Sequence, residues 1–226
     1  MQILSYQEST IECWQQPQEP NKIVRQAARL TQHAKADLQL VDTNNIEGLL
    51  KFLFKAEHTS LIEHLSWTFY IEGVSRSFLA QITRHRIGSF TSASQHYTDY
   101  RDMPFIVHPT LTKNEVVYQC LFTAVTGYKL LVDEGVPIEE ARQVLPNAAE
   151  VRLLWTVNAR SLYNFFEQRW CGRNVAEMIA FCEHLYAKVQ DTWPEFAKFL
   201  GPYCYHLNGK CNQGKMTCGR PWVYDD

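Results

Sequence analysis

The sequence predicts an α+β chain with more helix than strand, and three observations carry that reading. Two segments, 66–71 and 151–157, have the aromatic and β-branched density of strands, and they lie far apart in the chain. Around them run stretches whose apolar residues recur at helical spacing. Strands and helices do not alternate in a βαβ rhythm, and the chain contains no GxGxxG or P-loop run. A doubly wound sheet with a Rossmann or Walker phosphate cradle is therefore not expected.

Taken in order, Lys22–His33 has helical apolar spacing. So does Asn45–Phe54, with Ile46, Leu49, Leu50 and Leu53 on one face and Asn44 or Asn45 as N-cap. Ser66–Ile71 reads as a strand closed by Gly73. Phe78–Thr83 is a short helix leading into Arg84-His85-Arg86, and Gly88–Tyr100, polar with small and aromatic residues, reads as loop. Thr112–Glu134 is a long helix burying Leu121, Val125 and Leu131, ended by Gly135-Val136-Pro137. Pro137 opens another helix with acidic residues in its first turn. Val151–Val157 is the second strand, Asn158 caps the helix ARSLYNFFEQR, and Ala176–Val189 is one more amphipathic helix. From Gly201 to residue 226 the chain is a Gly/Pro/Cys-rich, irregular tail of one single domain.

The bulk numbers narrow the function. A chain of 226 residues with 46% hydrophobic content can bury a real core and is not disordered. A net charge of −2 gives no general attraction for polyanions, so a bound anion must be held by a local cluster. That favours a small phosphorylated ligand over nucleic acid. No signal pattern and no apolar run of membrane-spanning length is present, so no membrane partner is expected. Seven cysteines, an odd count, read as reduced thiols in the cytoplasm, with Cys120 and Cys182 packed in helices.

Three clusters carry candidate chemistry. In Arg84–Tyr97, two arginines and a histidine lead into a loop with Ser89, Thr91, Ser92 and Ser94. Forked guanidinium donors with hydroxyls and loop amides grip phosphates, although a basic turn in solvent has the same composition. Arg142, Arg160 and Arg169 form a second series. Arg160 and Asn164 share a helix face, while Arg169 projects near the helix end beside Phe165 and Phe166. An arginine there either snorkels or lies against a flat heterocycle. The third cluster, Glu57-His58 with Glu63-His64, lacks zinc spacing. Cys204, Cys211 and Cys218 recur at seven-residue steps near His206 but lack a CxxC knuckle, and no metal is expected there either.

The run RHRIGSFTSASQHY resembles the signature of the flavin-dependent thymidylate synthases. EHTSLIEH upstream, Gln81 three residues before Arg84, then ARQVLP, WTVNARSLYNFF and Arg169 follow in the family's order. The tail GPYCYHLNGKCNQGKMTCG is similar to the Cys-containing tails of some members. The resemblance runs from about His58 to the tail.

It implies a mixed sheet-containing domain with flanking helices and a helical extension. It also implies FAD as cofactor, NADPH and 5,10-methylenetetrahydrofolate as co-substrates, and a homotetramer with shared active sites. Position by position, it gives FAD contacts to Ser60, Arg84, His85, Arg86, Ser92, Asn158, Arg160 and Asn164, with His58 lining the flavin site. The nucleotide grip falls to Gln81, Arg84, Arg142 and the loop Ser92, Ala93, Ser94, Gln95 and His96 around the phosphate. Arg169 resembles the activating arginine, which steadies negative charge on the uracil N3/O4 region without any cysteine nucleophile.

Two departures fall in the nucleotide pocket. Thr91-Ser92 replaces the usual Asn-Glu, and His96 stands where a phosphate-binding arginine is usual; a third, milder one is Asn174–Met178 in place of an AQWEI-like segment. Methylation of dUMP at C5 is the expectation. The alternatives are a flavin-dependent methylase or hydroxymethylase of another uridine nucleotide such as UMP, or a catalytically silent homologue.

Overall fold

The computed structural model describes residues 1–31 and 45–222. In chain order its elements are β1 (Ile3–Ser5), β2 (Thr10–Gln15), α1 (Pro20–Leu30), α2 (Ile46–Lys55), β3 (Ser66–Ser75), α3 (Arg76–Ile82), β4 (Ser89–Ser92), β5 (Phe105–Val107), α4 (Glu115–Asp133), α5 (Ile138–Ala141), β6 (Glu150–Asn158), α6 (Ala159–Arg169), α7 (Ala176–Thr192), α8 (Pro194–Ala197) and α9 (Tyr203–His206). The expected α+β class holds. An antiparallel sheet of order β2-β3-β6-β4 is the frame, and β1 pairs with β5 in parallel beside it.

β3 and β6 form the centre, and each alternates over most of its length. Trp67, Phe69 and Ile71 on β3, with Leu153, Trp155 and Val157 on β6, are buried on one face. Phe78 of α3, Phe165 and Phe166 of α6, and Phe181 and Leu185 of α7 cover that face as one apolar cluster. Each such side chain contributes roughly 1.5–3 kcal/mol by leaving water. A second cluster gathers Tyr100, Phe105, Leu121, Val125 and Tyr128 beneath α4.

Several boundaries differ from the sequence expectation. β3 does not end before Gly73 but runs through it to Ser75, with the register slipping between Ile71 and Val74. Gly73 has φ of +71°, and an added Cβ would stand 3.0 Å from Ser9 Cα, so the residue makes a bulge instead of a stop. The polar run 88–100 contains β4, an edge strand paired with β6 through Ser89↔Thr156 and Phe90↔Trp155. β1, β2 and β5 had no strand signal of their own.

The Lys22–His33 helix ends at Leu30, and its residues from Gln32 onward lie outside the described residues, as does Asn44. Asn45 is the cap of α2, accepting from Gly48 N at 2.9 Å. α4 begins at Glu115 under its cap Asn114, and Thr112 instead ends a short turn. Leu121 and Val125 are buried as expected, Leu131 is half-buried, and Tyr128 takes the deepest position. Cys182 is packed, but Cys120 is exposed on the outer face of α4. Val116, Phe122 and Leu130 of the same helix are exposed as well.

Candidate active site

β6 passes into α6 without a loop. Asn158, the last strand residue, is also the N-cap, its Oδ1 accepting from Ser161 N at 2.8 Å. Eleven residues later α6 ends at Arg169, which turns back toward α3. Its Nε donates to His85 Nε2 at 2.8 Å, and its Nη2 donates to the Gln81 carbonyl at 3.1 Å. The Asn174 side chain in turn donates to the Arg169 carbonyl at 3.0 Å, fixing the helix end.

His85 must therefore present a bare Nε2, with its proton on Nδ1. Burial, then the Arg169 charge, pull its pKa down to about 4, so the ring stays neutral and remains an acceptor. Phe165 braces it edge-on at 4.9 Å. Burial also lowers the Arg169 pKa, and Arg84 beside it acts in the same direction. Among the described residues no carboxylate lies in ion-pair range of Arg84, Arg86 or Arg169. Arg169 with Arg84 beside it thus leaves a positive, uncompensated mouth, which suits an anionic ligand such as a phosphate or pyrophosphate.

Two further contacts hold this mouth in place. Ser75 caps α3 through Phe78 N at 3.0 Å, and its own N and Oγ both donate to Glu177 of α7, at 2.7 and 2.6 Å. Gly88, just past the arginines, packs so close to β6 that a Cβ would meet Trp155 Nε1 at 3.0 Å and the Thr156 carbonyl at 3.1 Å.

Gln81, His85 and Arg169 are thus bonded together, with Arg84 alongside. Arg160 and Asn164 lie one turn apart on α6, and the Arg160 guanidinium is 3.6 Å from Glu63. His58 precedes and Ser60 lies within the turn Thr59–Ile62, and both are exposed. Arg86 and Ser92 are exposed, the latter ending β4. Ala93 N continues that pairing to the Arg152 carbonyl at 2.8 Å. Ser94 Oγ accepts from His96 N at 3.2 Å, Gln95 is buried, and His96 is exposed with its ring edge-on to Tyr97. Arg142 is exposed at the start of the turn Arg142–Val144. Among the described residues, no hydrogen bond or ion pair ties the 92–96 loop or Arg142 to the Arg169 cluster.

Sequence reasoning missed Asn174, Glu177, Ser75 and Phe165 as the supports of Arg169 and His85. Asn174 and Glu177 lie within the segment that departs from the AQWEI pattern, and that was the available signal. The tail was also underestimated. Arg173 Nη1 donates to the Met216 carbonyl at 2.5 Å, Trp222 packs on Trp170 with centroids 4.7 Å apart, and Cys218 Sγ lies against Gly172. Between tail and α6 lies a cavity of about 650 Å³ with Arg169 in its wall, and the thiols of Cys171, Cys204 and Cys211 also line it.

The family of thymidylate synthase complementing proteins matches residues 12–195. A flavin-dependent thymidylate synthase of Geobacter sulfurreducens is 36% identical over 211 residues, covering 89% of this chain and 90% of its own. Another, from Clostridium tetani, is 33% identical over 224 residues, covering 89% of each. A UMP/dUMP methylase, PolB, from Streptomyces cacaoi, solved with 5-Br dUMP, superposes with a TM-score of 0.79 at 23% identity, covering 88% and 96% of the two chains. The flavin-dependent thymidylate synthase ThyX of Helicobacter pylori, solved with FAD and dUMP, gives 0.68 at 24%, covering 81% and 97%. The chain belongs to the flavin-dependent thymidylate synthase family.

Proposed function

We propose that this protein reductively methylates dUMP at C5 to dTMP, with FAD as cofactor, 5,10-methylenetetrahydrofolate as one-carbon donor and NADPH as reductant. The observation that carries the reading is Arg169 held by neutral His85 and the Gln81 carbonyl at an uncompensated positive mouth. For C5 to attack an electrophilic carbon, the uracil ring has to become electron-rich, with negative charge on its N3/O4 side. A guanidinium already fixed there stabilises that charge without reorganising. Bound FAD supplies the reducing equivalent for the methyl group.

The exposed arginines Arg84 and Arg86 suit the flavin pyrophosphate, with Ser60, Ser92, Arg160, Asn164 and His58 around the rest. Asn158 spends its Oδ1 on capping α6, so its amide NH2 is the group left for the flavin. Gln81, Arg84, Arg142 and Ser92–His96 form the nucleotide grip. Because no bond ties Arg142 or that loop to Arg169, the reading includes a homotetramer whose active sites draw on neighbouring subunits. The exposed Val116, Phe122 and Leu130 of α4 suit such burial. We read the chain as one domain with its tail. Among the described residues no helix is long and apolar enough to cross a membrane. With seven free cysteines, the reading places the enzyme in the cytoplasm.

A second reading, another uridine nucleotide such as UMP, is left open by the changed nucleotide pocket, where Thr91-Ser92 and His96 depart from the usual residues and His96 lacks the permanent charge and forked donors of an arginine. Tritium release from C5-labelled dUMP and UMP, with and without FAD and NADPH, separates the two. Arg169→Ala is expected to lose on the order of 10²-fold or more of the release rate. Wild-type release from that variant would sink the role given to Arg169.

A further inference from the structure

We infer that Cys211 is a thiol-exchange site, at which a small carboxylate-bearing disulfide forms a mixed disulfide while Arg173 holds its carboxylate. This goes beyond the reaction proposed above and does not depend on it. The tail cavity carries three thiols in one wall, those of Cys171, Cys204 and Cys211, with Arg173 among them. All three are free. A thiol reacts in exchange when it is ionised and can be reached, and one of the three meets both conditions.

The Cys211 sulfur is bonded by the Thr217 hydroxyl and by the Gln213 backbone N–H, and the Arg173 charge lies near. Together these draw its pKa below that of an ordinary thiol. Cys211 is also only half-buried, whereas Cys204 is buried with its sulfur accepting from Trp222 N at 3.3 Å. The same wall recognises an acid. Arg173 spends one Nη on the Met216 carbonyl and makes no ion pair among the described residues, so the rest of its fork is open to a carboxylate. Glu167 is the one acid among the lining residues, and burial raises its pKa, which weakens its competition for that fork. A volume of about 650 Å³ lies within the roughly 300–1,000 Å³ usual for organic ligands. In the exchange, the Cys211 thiolate attacks one sulfur of the ligand. A new S–S bond forms as the ligand's own breaks, and the other half leaves as a thiolate that takes a proton from water. The ligand is itself the oxidant, and a reducing thiol reverses the step.

The test uses the full chain, reduced and then freed of reductant, with two probes. Oxidised glutathione carries carboxylates, and cystamine carries none. Each rate is taken relative to the same probe's rate with free cysteine, and peptide mass mapping locates the adduct. Oxidised glutathione is expected to modify Cys211 first, and Cys211→Ser to lose that adduct. Arg173→Gln is expected to slow oxidised glutathione by about tenfold more than cystamine, through loss of a charge-assisted hydrogen bond. Thr217→Val, which leaves Arg173 in place, is expected to slow both probes alike. First modification at any other cysteine, the exposed Cys120 included, overturns the inference. So do equal falls with the two probes in Arg173→Gln, or wild-type rates in Thr217→Val. None of these results bears on the proposed reaction.

Discussion

Acid should weaken this protein through His85 in a way that can be isolated. The native ring has a pKa of about 4 against 6.5 for an ordinary histidine, so between those values the unfolded chain binds a proton that the folded one refuses. Stability therefore rises with pH across that window. The His85 contribution is complete above about 6.5, is lost progressively as pH falls, and levels off below about 4. At about 1.4 kcal/mol per tenfold change, the gap amounts to about 3 kcal/mol for a fully enclosed ring. The His85 ring is partly open to water, and screening reduces this to about 1–2 kcal/mol.

The perturbation is His85→Gln, which keeps an acceptor for Arg169 Nε but does not titrate. Urea unfolding of both proteins at pH 7 and 4.5 gives the four values needed. The buried carboxyls Glu150 and Glu177, whose pKa values are raised by burial, titrate in both proteins and cancel in the double difference. The wild type should lose about 1–2 kcal/mol more than the variant on going to pH 4.5. Parallel losses in the two proteins would refute the argument, as would an NMR titration placing the His85 ring near 6.5.

Other perturbations test the supports of the site. Gly88→Ala pushes a methyl group into Trp155 and the Thr156 carbonyl, and should cost about 1–3 kcal/mol in denaturant unfolding with altered tryptophan fluorescence; an unchanged midpoint would mean the turn has slack. Ser75→Ala removes the α3 cap and one of the two bonds to Glu177, with an expected loss of about 2–3 kcal/mol by the same assay, and a loss under about 0.5 kcal/mol would contradict the network. His96→Arg should tighten dUMP binding by roughly tenfold while kcat barely moves. A fall in kcat at constant KM would show that His96 does not serve as a phosphate contact.

How much was legible in the sequence depended on whether the signal was local. β3 and β6 were visible because each concentrates aromatic and β-branched residues within one segment. The β6–α6 junction was visible because Asn158 is a cap by residue type. β4 was hidden because Ser89, Thr91 and Ser92 are exposed at a sheet edge, so the segment has the polarity of a loop and only pairing to β6 makes it a strand. Gly73 looked like a stop because residue type alone does not separate a bulge from a turn. Cys120 looked like core because it lies among apolar residues, yet it is exposed while Leu121 beside it takes the buried side of α4.

At the site, the individual side chains were readable and their partnership was not. His85 was grouped with Arg84 and Arg86, its neighbours in the motif. In the fold it serves Arg169, which lies 84 positions away. Asn174 and Glu177 could not be recognised as supports, because what they support comes from the Arg169 backbone and from α3.

The absence of any hinge between β6 and α6 constrains how the protein can move. With 11 residues at about 1.5 Å each, α6 is a strut about 16 Å long, rooted at one end in the central strand and clamped at the other by α3 and Asn174. On the proposed reading Arg169 is a fixed post, and substrates must come to it. Any opening and closing around the reaction then belongs to pieces outside the strut, the 92–96 loop and the tail. A change of substrate range is accordingly expected to arise in those two segments and to leave the strut as it is.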